Sequence, residues 1–176
     1  MKNLILLLIS LIVLTGCGTS DNLQSGEENE QSANAGKSEE SVETTDWEPS
    51  NFESVNNFEG VKMEIKEESL NPASLTVVIK NDTPDKQLIF GEDFLLEKKI
   101  GGSWYQVPVT FEGNYGFDSI GYEIASSAEG EWTVDWEWLY GILDAGEYRI
   151  VKEVLDFRET GDFDMYHLAA EFSLTE

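Results

Sequence analysis

The chain is poor in the residues on which most catalytic and metal sites depend. Its 176 residues include one cysteine and one histidine. A single cysteine excludes an internal disulfide and cysteine-ligated zinc or iron–sulfur centres. The lone His167 lacks the partners for a histidine-rich metal site, and the sequence has neither a G-x-S-x-G nucleophile motif nor a phosphate-binding glycine loop. We therefore expect a protein that is not an enzyme and that needs no cofactor.

Basic residues are scarce as well. There are 35 Asp and Glu residues against 11 Lys and Arg, a net charge of −24. Nucleic-acid binding depends on Lys and Arg that neutralise phosphates, so this balance excludes a nucleic-acid partner. It also argues against anionic lipid headgroups as a binding surface, and it is typical of a well-solvated exterior.

The apolar run at the N-terminus is too short to cross a membrane. Leu4 to Leu14 follow the positively charged Lys2 and are apolar except for Ser10. A membrane-spanning helix needs about 20 apolar residues, whereas a run of this length is typical of a secretory signal peptide. We place that signal peptide at residues 1–16.

The residues that follow, Leu14-Thr15-Gly16-Cys17, resemble the lipobox of bacterial lipoproteins. The resemblance implies that Cys17 carries a diacylglycerol and, after cleavage, becomes a lipidated N-terminus with acyl chains such as palmitate. The two acyl chains of the diacylglycerol give stable anchoring, where one chain gives only marginal binding. An ordinary signal peptide with an incidental cysteine is the alternative. We expect a lipoprotein anchored to the cell membrane on its extracytoplasmic face.

Residues 17–46 have the composition of a linker. From Gly18 to Asp46 the sequence consists mostly of Ser, Glu, Asn, Thr and Gly, with eight acidic residues against Lys37. Such a segment cannot bury enough apolar surface to order itself. We predict a flexible acidic tether between the lipid and a folded domain.

The remaining residues, 47–176, have the length of one domain and the pattern of an all-β protein. "KQLIFGEDFLLEKKI" reads as one or two strands interrupted at Gly91, and Gly101-Gly102 predict a hairpin. "WEWLYGILDAG" lacks a cap and a sustained 3.6-residue period, so it is interpreted as non-helical. Apolar residues alternate with polar ones in three further runs: Val61, Met63 and Ile65; Leu75, Val77 and Ile79; Tyr166, Leu168, Ala170, Phe172 and Leu174. We predict an antiparallel β-sandwich of about 7–9 strands.

The stretch "WTVDWEWLY" concentrates aromatic residues on alternate positions. It predicts a strand with one apolar face, formed by Trp132, Val134, Trp136, Trp138 and Tyr140. We expect the first three in the core, while Trp138 and Tyr140 are either core or ligand contacts. Carbohydrate binding would need several exposed aromatic rings on a flat face. Its candidates are Trp138, Tyr140, Trp104, Tyr105, Tyr115 and Phe117.

A short pattern follows the aromatic row: Leu143-x-x-Gly146-x-Tyr148. In immunoglobulin-like (Ig-like) sandwiches a tyrosine at such a corner bonds back to the backbone a few residues upstream. We expect Leu143 to plug the core, Gly146 to permit the tight turn and Tyr148 to pin the crossover between sheets.

Together, "FGEDFLLEKKIGGSWYQVP" and "VDWEWLYGILDAGEYRIVKEV" are similar to the bacterial Ig-like domains of small lipoproteins from Bacillus-type Gram-positive bacteria. The resemblance covers Val61 to Lys152. It implies an Ig-like β-sandwich outside the cytoplasmic membrane, and it brings no known activity, because one fold hosts many functions.

The sequence thus favours a non-catalytic interaction module that contacts an unknown protein of the cell envelope. The alternatives are binding of carbohydrate or cell wall through exposed aromatics, and peptidase inhibition. A calcium site is less favoured, since the acidic clusters do not follow an EF-hand spacing, and we predict no metal site. Those clusters are Glu92 with Asp93, and Glu159 with Asp162 and Asp164.

Overall fold

The structure is a computed structural model that describes residues 46–176, and every structural statement below concerns that part of the chain. The predicted signal peptide, the lipobox with Cys17 and the tether up to residue 45 lie outside the described residues. Within residues 46–176 no helix is long and apolar enough to cross a membrane.

Nine antiparallel strands in two sheets form the fold, which confirms the predicted Ig-like β-sandwich. A 3₁₀ turn at Glu67–Ser69 and a four-residue helix, α1 (Glu137–Tyr140), are the helical elements of the described chain. The strands are β1 (Val61–Ile65), β2 (Ser74–Asn81), β3 (Gln87–Phe90), β4 (Leu95–Ile100), β5 (Ser103–Gln106), β6 (Tyr122–Ile124), β7 (Ala128–Asp135), β8 (Gly146–Glu159) and β9 (Asp162–Leu174).

The smaller sheet has the order β1-β2-β7. Its registers pair Met63 with Ile79 and Val77 with Trp132, so the alternating apolar residues of the three strands share one face. That face is buried against the larger sheet, as predicted for Val61, Met63, Leu75, Val77, Ile79, Trp132 and Val134.

The larger sheet is organised around β8. One edge of β8 pairs with β9 over its whole length, from Gly146 opposite Leu174 to Glu159 opposite Asp162. The other edge pairs first with β4 and then with β3. β3 and β4 therefore follow each other along the same edge of β8, which confirms the predicted interruption at Gly91. β5 pairs with β4, and β6 pairs with β3.

The side chain of Lys152 enters the core at the point where β3 and β4 separate. It is fully buried, and its Nζ donates hydrogen bonds to the carbonyls of Gly91 (2.5 Å) and Asp93. The ammonium also lies 4.2 Å from the centroid of the Trp132 ring. Burial lowers the pKa of Lys152 to about 8. Between β3 and β4 the carbonyls of Gly91 and Asp93 are thus bonded by the buried amine of Lys152 instead of by a neighbouring strand.

This burial predicts a pH dependence of stability. The pKa of Lys152 in the unfolded chain is the ordinary 10.5, so between pH 8 and 10.5 unfolding takes up a proton. The free energy of unfolding should therefore rise with pH through this window, by up to roughly 3 kcal/mol. In Lys152→Met this rise should be absent. Urea unfolding of both full-length proteins at several pH values between 7.5 and 10.5 measures it.

The matched control is Lys62→Met, because Lys62 is an exposed lysine of β1. It should keep the pH dependence of the parent. A difference in stability between the parent and Lys152→Met that does not change with pH would contradict the assignment.

The segment that precedes β1 crosses the outer face of the larger sheet, the face turned away from the core. It starts beside the edge of β5 that faces away from β4, where Gln106 N donates to Glu48 O (2.8 Å) and Ser50 N donates to Trp104 O (2.9 Å). It then passes over the sheet, where Phe52 contacts the His167 ring at 4.8 Å. Residues 48–56 thereby cover part of this face.

A buried ion pair lies on the covered part. Glu97 Oε2 accepts from Arg149 Nε at 2.5 Å, and Arg149 Nη2 donates to Ser50 Oγ at 3.1 Å. Both charged side chains are buried although they point away from the core. The N-terminal segment is therefore an integral layer of the domain.

Candidate functional site

α1 changes which aromatic residues face the core. β7 ends at Asp135, whose Oδ1 accepts a hydrogen bond at 3.0 Å from the backbone N of Glu137, the first residue of the helix. From Trp136 onward the inward positions are three to four residues apart instead of two. Leu139 and Tyr140 are buried, whereas Trp138 is 43% exposed. The prediction that this segment is non-helical is therefore wrong, and the helix turns Trp138 outward.

The core positions of the row are as predicted. Trp132 and Val134 are buried, and Trp136 is fully buried. The Trp136 indole stacks on Phe172 with centroids 5.7 Å apart, and its Nε1 donates to Pro72 O at 3.0 Å. A buried indole whose N–H is satisfied is a packing element.

The loop between β5 and β6 is fixed onto α1. The backbone N–H groups of Thr110 and Phe111 both donate to the carbonyl of Leu139, at 2.9 and 3.3 Å. A short helix leaves its last carbonyls unpaired, and the loop satisfies this one. This attachment brings three rings of the loop next to Trp138.

These rings form an aromatic cluster of Phe111, Tyr115, Phe117 and Trp138. The loop rings lie 5.9–6.1 Å from the Trp138 ring, centroid to centroid, at interplanar angles of 72–74°. Phe117 also contacts Phe94 of the core at 5.5 Å. Although the rings support one another, Trp138, Tyr115 and Phe111 each remain 43–47% exposed.

The steep angles bear on sugar binding. A sugar platform needs rings that lie side by side in one plane, whereas neighbouring rings of this cluster stand close to perpendicular. The cluster thus offers single ring faces and edges instead of an extended flat surface.

A groove of about 600 Å³ adjoins the cluster. Tyr140 lines the groove, and burial raises the pKa of the Tyr140 phenol to about 12, so this hydroxyl is neutral at physiological pH. The charged residues of the lining, Asp46 and Glu48, are both acidic. The other lining residues are Trp47, Leu95, Gln106, Val107, Pro108, Val109 and Tyr115.

The predicted ligand-contact residues do not form one site. Trp138 belongs to the aromatic cluster and Tyr140 is buried beneath it. Trp104 lies on the outer face of the larger sheet, where the Arg149 guanidinium is 4.6 Å from its ring. Tyr105 is half-buried in β5, beside Pro49 of the N-terminal segment.

Sequence reasoning passed over Phe111 and Trp47 as site residues. The spacing of three aromatics within seven loop positions, at 111, 115 and 117, was a usable signal for Phe111. No pattern in the sequence marks Trp47, because its place in the groove follows from the path of the N-terminal segment.

The predicted corner residues lie together at the start of β8. The Tyr148 hydroxyl donates to the carbonyl of Asp144 at 3.0 Å, and its ring stacks on Phe172. Leu143 is buried, and its N donates to Pro72 O at 3.0 Å. A Cβ on Gly146 would lie 2.7 Å from Lys98 Cε and 3.2 Å from the Tyr148 ring. The flexible Lys98 side chain can move aside, whereas the Tyr148 ring is held by its stacking on Phe172, so a larger residue at position 146 would crowd that ring.

Three of the acidic side chains considered for calcium, those of Glu92, Asp162 and Asp164, are engaged in ion pairs or hydrogen bonds with other side chains. Arg158 binds Asp162 (2.7 Å) and Asp164 (3.1 Å), and Glu92 accepts from the Tyr122 hydroxyl. Among residues 46–176 no group of three or more His, Cys, Asp and Glu side chains is placed to hold a metal ion.

The fold and the comparison of sequences define the class of this protein. Residues 57–173 match the family described as bacterial Ig-like domain. The match spans most of the chain, so the protein belongs to this family, whose domains are generally non-catalytic modules. Comparison with the curated proteins gives no match, and neither does comparison with the solved structures.

The corner hydrogen bond generates a stability prediction. Tyr148→Phe removes the donor to Asp144 and keeps the ring stacked on Phe172. We expect a loss of about 0.5–1.5 kcal/mol in the free energy of unfolding, measured by urea denaturation of the full-length protein. Tyr115→Phe is the control, since Tyr115 is exposed in the aromatic cluster, and it should leave stability unchanged. Equal stability of parent and Tyr148→Phe would contradict the pinning role.

Proposed function

We propose that this protein is a lipid-anchored, extracytoplasmic interaction module that contacts a protein of the cell envelope through its aromatic end. The aromatic end comprises the aromatic cluster and the adjoining groove. Membership of a generally non-catalytic Ig-like family supports the module. The lipobox-like segment at Cys17 supports the anchor.

The observation that carries the proposal is the exposure of three neighbouring rings at one end of the sandwich. Trp138, Tyr115 and Phe111 leave nearly half of their surfaces uncovered, although folding normally hides such residues. Aromatic residues are enriched at protein interfaces and dominate their binding energy. Because α1 and the loop hold the rings in place, little ordering is required when a partner binds.

The position of the groove agrees with a role near the membrane. Asp46, the last residue of the predicted tether, and Trp47, the first residue after it, both line the groove. An anchored protein would therefore present the groove where the linker joins the domain, within reach of neighbouring envelope proteins.

A photocrosslinking experiment tests the protein contact. p-Benzoylphenylalanine placed at position 138 of the anchored full-length protein should yield a covalent adduct with an envelope protein after irradiation of cells. The same group at position 129 is the matched control, because Glu129 is exposed at the opposite end of β7. Adducts from both position 138 and position 129, or from neither, would contradict the proposal.

The anchor has its own test. Cys17→Ala should leave an unprocessed precursor that lacks the lipid, because the cysteine sulfur is the acceptor of the diacylglycerol. Metabolic labelling with a palmitate analogue and mobility on gels measure the change. Cys17→Ser is the conservative companion and should behave like Cys17→Ala. Unaltered labelling and mobility would show that the lipobox assignment is wrong.

Carbohydrate binding is the second candidate, and the exposed face of Trp138 favours it. Titration of cell-wall glycan fragments should then shift the tryptophan fluorescence of the parent, and Trp138→Phe should lose the shift. Trp136→Phe, which alters a fully buried ring, should keep it. If no fragment in a broad glycan panel shifted the fluorescence, carbohydrate binding would be excluded. Peptidase inhibition stays a prediction that a panel of proteases tests.

A further inference from the structure

The edge of β9 that faces away from β8 is closed at one end by a single side chain. Asn56 Nδ2 donates to Ala169 O at 2.9 Å, and Asn56 Oδ1 accepts from Ala169 N at 2.8 Å. The backbone N of Asn56 donates to His167 O at 2.8 Å. Asn56 therefore acts as a one-residue strand partner and occupies the edge at His167 and Ala169. In this position the Asn56 backbone has a φ of +58°, a conformation that few non-glycine residues adopt.

The same edge continues without such a cap toward the tip of the β8–β9 hairpin. In a strand, residues two apart direct their backbone N–H and C=O groups to the same side. Since His167 and Ala169 direct theirs away from β8, Phe163 and Met165 do so as well. Within the described chain no hydrogen bond to these outward groups of Phe163 and Met165 is formed. They are a short row of free donors and acceptors.

The side chains at these positions lie on the outer face of the larger sheet, beyond the part that the N-terminal segment covers. Phe163 is 43% exposed and Met165 is 52% exposed. Their register partners on β8, Phe157 and Leu155, are half-buried. Ile89 of β3 continues the row opposite Leu155. An uncovered apolar strip thus runs beside the free row of backbone groups.

The charges around the strip disfavour an acidic partner. The basic residues nearby are already engaged: Arg158 binds Asp162 and Asp164, and Lys86 binds Asp156. Residues 47–176 carry 27 acidic against nine basic residues, a net charge of −18. A positively charged segment gains from this field, whereas an acidic one is repelled.

We propose that the free edge of β9 is a second binding site, which takes an extended, cationic segment of another protein by strand addition at Phe163 and Met165. The added strand pairs with the outward backbone groups. Its alternate apolar side chains cover Phe163, Met165 and the strip, and its basic side chains meet the acidic surroundings. The site lies at the opposite end of β8 from the aromatic end. The proposal is therefore independent of the function proposed above.

The test uses full-length protein in a non-ionic detergent and a fluorescein-labelled heptapeptide of alternating valine and lysine. Fluorescence anisotropy measures binding, and hydrogen exchange measures the amides of Phe163 and Met165. We expect saturable binding and slower exchange at these two amides. Met165→Pro should weaken binding about tenfold or more, because it removes an outward N–H without breaking a bond to β8.

Three controls separate backbone pairing from other causes. Met165→Ala keeps the N–H, so it should bind more tightly than Met165→Pro, and equal thermal midpoints would show that both variants are folded. A peptide with glutamate in place of lysine should not bind. A peptide N-methylated at alternate residues should also fail.

Several results would overturn the proposal: no binding of the cationic peptide, equal binding by Met165→Pro, or equal binding of the N-methylated or acidic peptide. Self-association of the protein that Met165→Pro abolishes would make a second copy the occupant and would likewise overturn it.

Discussion

The larger sheet depends on the pairing of one long strand. β8 bonds to β9 along one edge and to both β4 and β3 along the other, so three strands lose their partner if it is displaced. The weak point is the gap between β3 and β4, where backbone carbonyls have no strand opposite them. Lys152 supplies donors there, and its ammonium packs on Trp132 of the facing sheet. A buried charge is costly, but unsatisfied carbonyls would be costly too.

The outer face of the larger sheet also contains buried charges, and here the N-terminal segment covers them. Glu97 and Arg149 are buried on it because residues 48–56 lie over them, and Ser50 adds a hydrogen bond to Arg149. Glu97 Oε1 has no hydrogen-bond partner within the described residues. Such a pair contributes little net stability compared with apolar packing, but loss of either member leaves a buried charge uncompensated. The pair therefore fixes where the N-terminal segment crosses, and this crossing in turn delivers Asn56 to the edge of β9.

Much of this architecture could be predicted from alternation alone, because strands with one buried face reveal themselves in the sequence. Met63, Val77 and Leu168 are examples, and the interruption at Gly91 was visible too. The prediction was wrong at Trp136–Tyr140, because the apolar residues of this segment fit the two-residue period of a strand as well as a helical turn. Only the tertiary contacts that receive Leu139 and Tyr140 decide between them. The ion pair and the N-terminal layer were beyond prediction, since they join residues far apart in the chain.

The uncovered apolar residues at the hairpin tip raise the question of why copies of this protein would not join through them. An exposed strand edge normally invites pairing with another copy. Here each copy brings the same acidic surface, and like charges resist approach within the Debye length, about 8 Å at physiological ionic strength. A cationic segment meets no such barrier and is drawn toward the edge. The scarcity of lysine and arginine, together with the engagement of Arg158 and Lys86, thus discourages self-association and selects for partners of opposite charge.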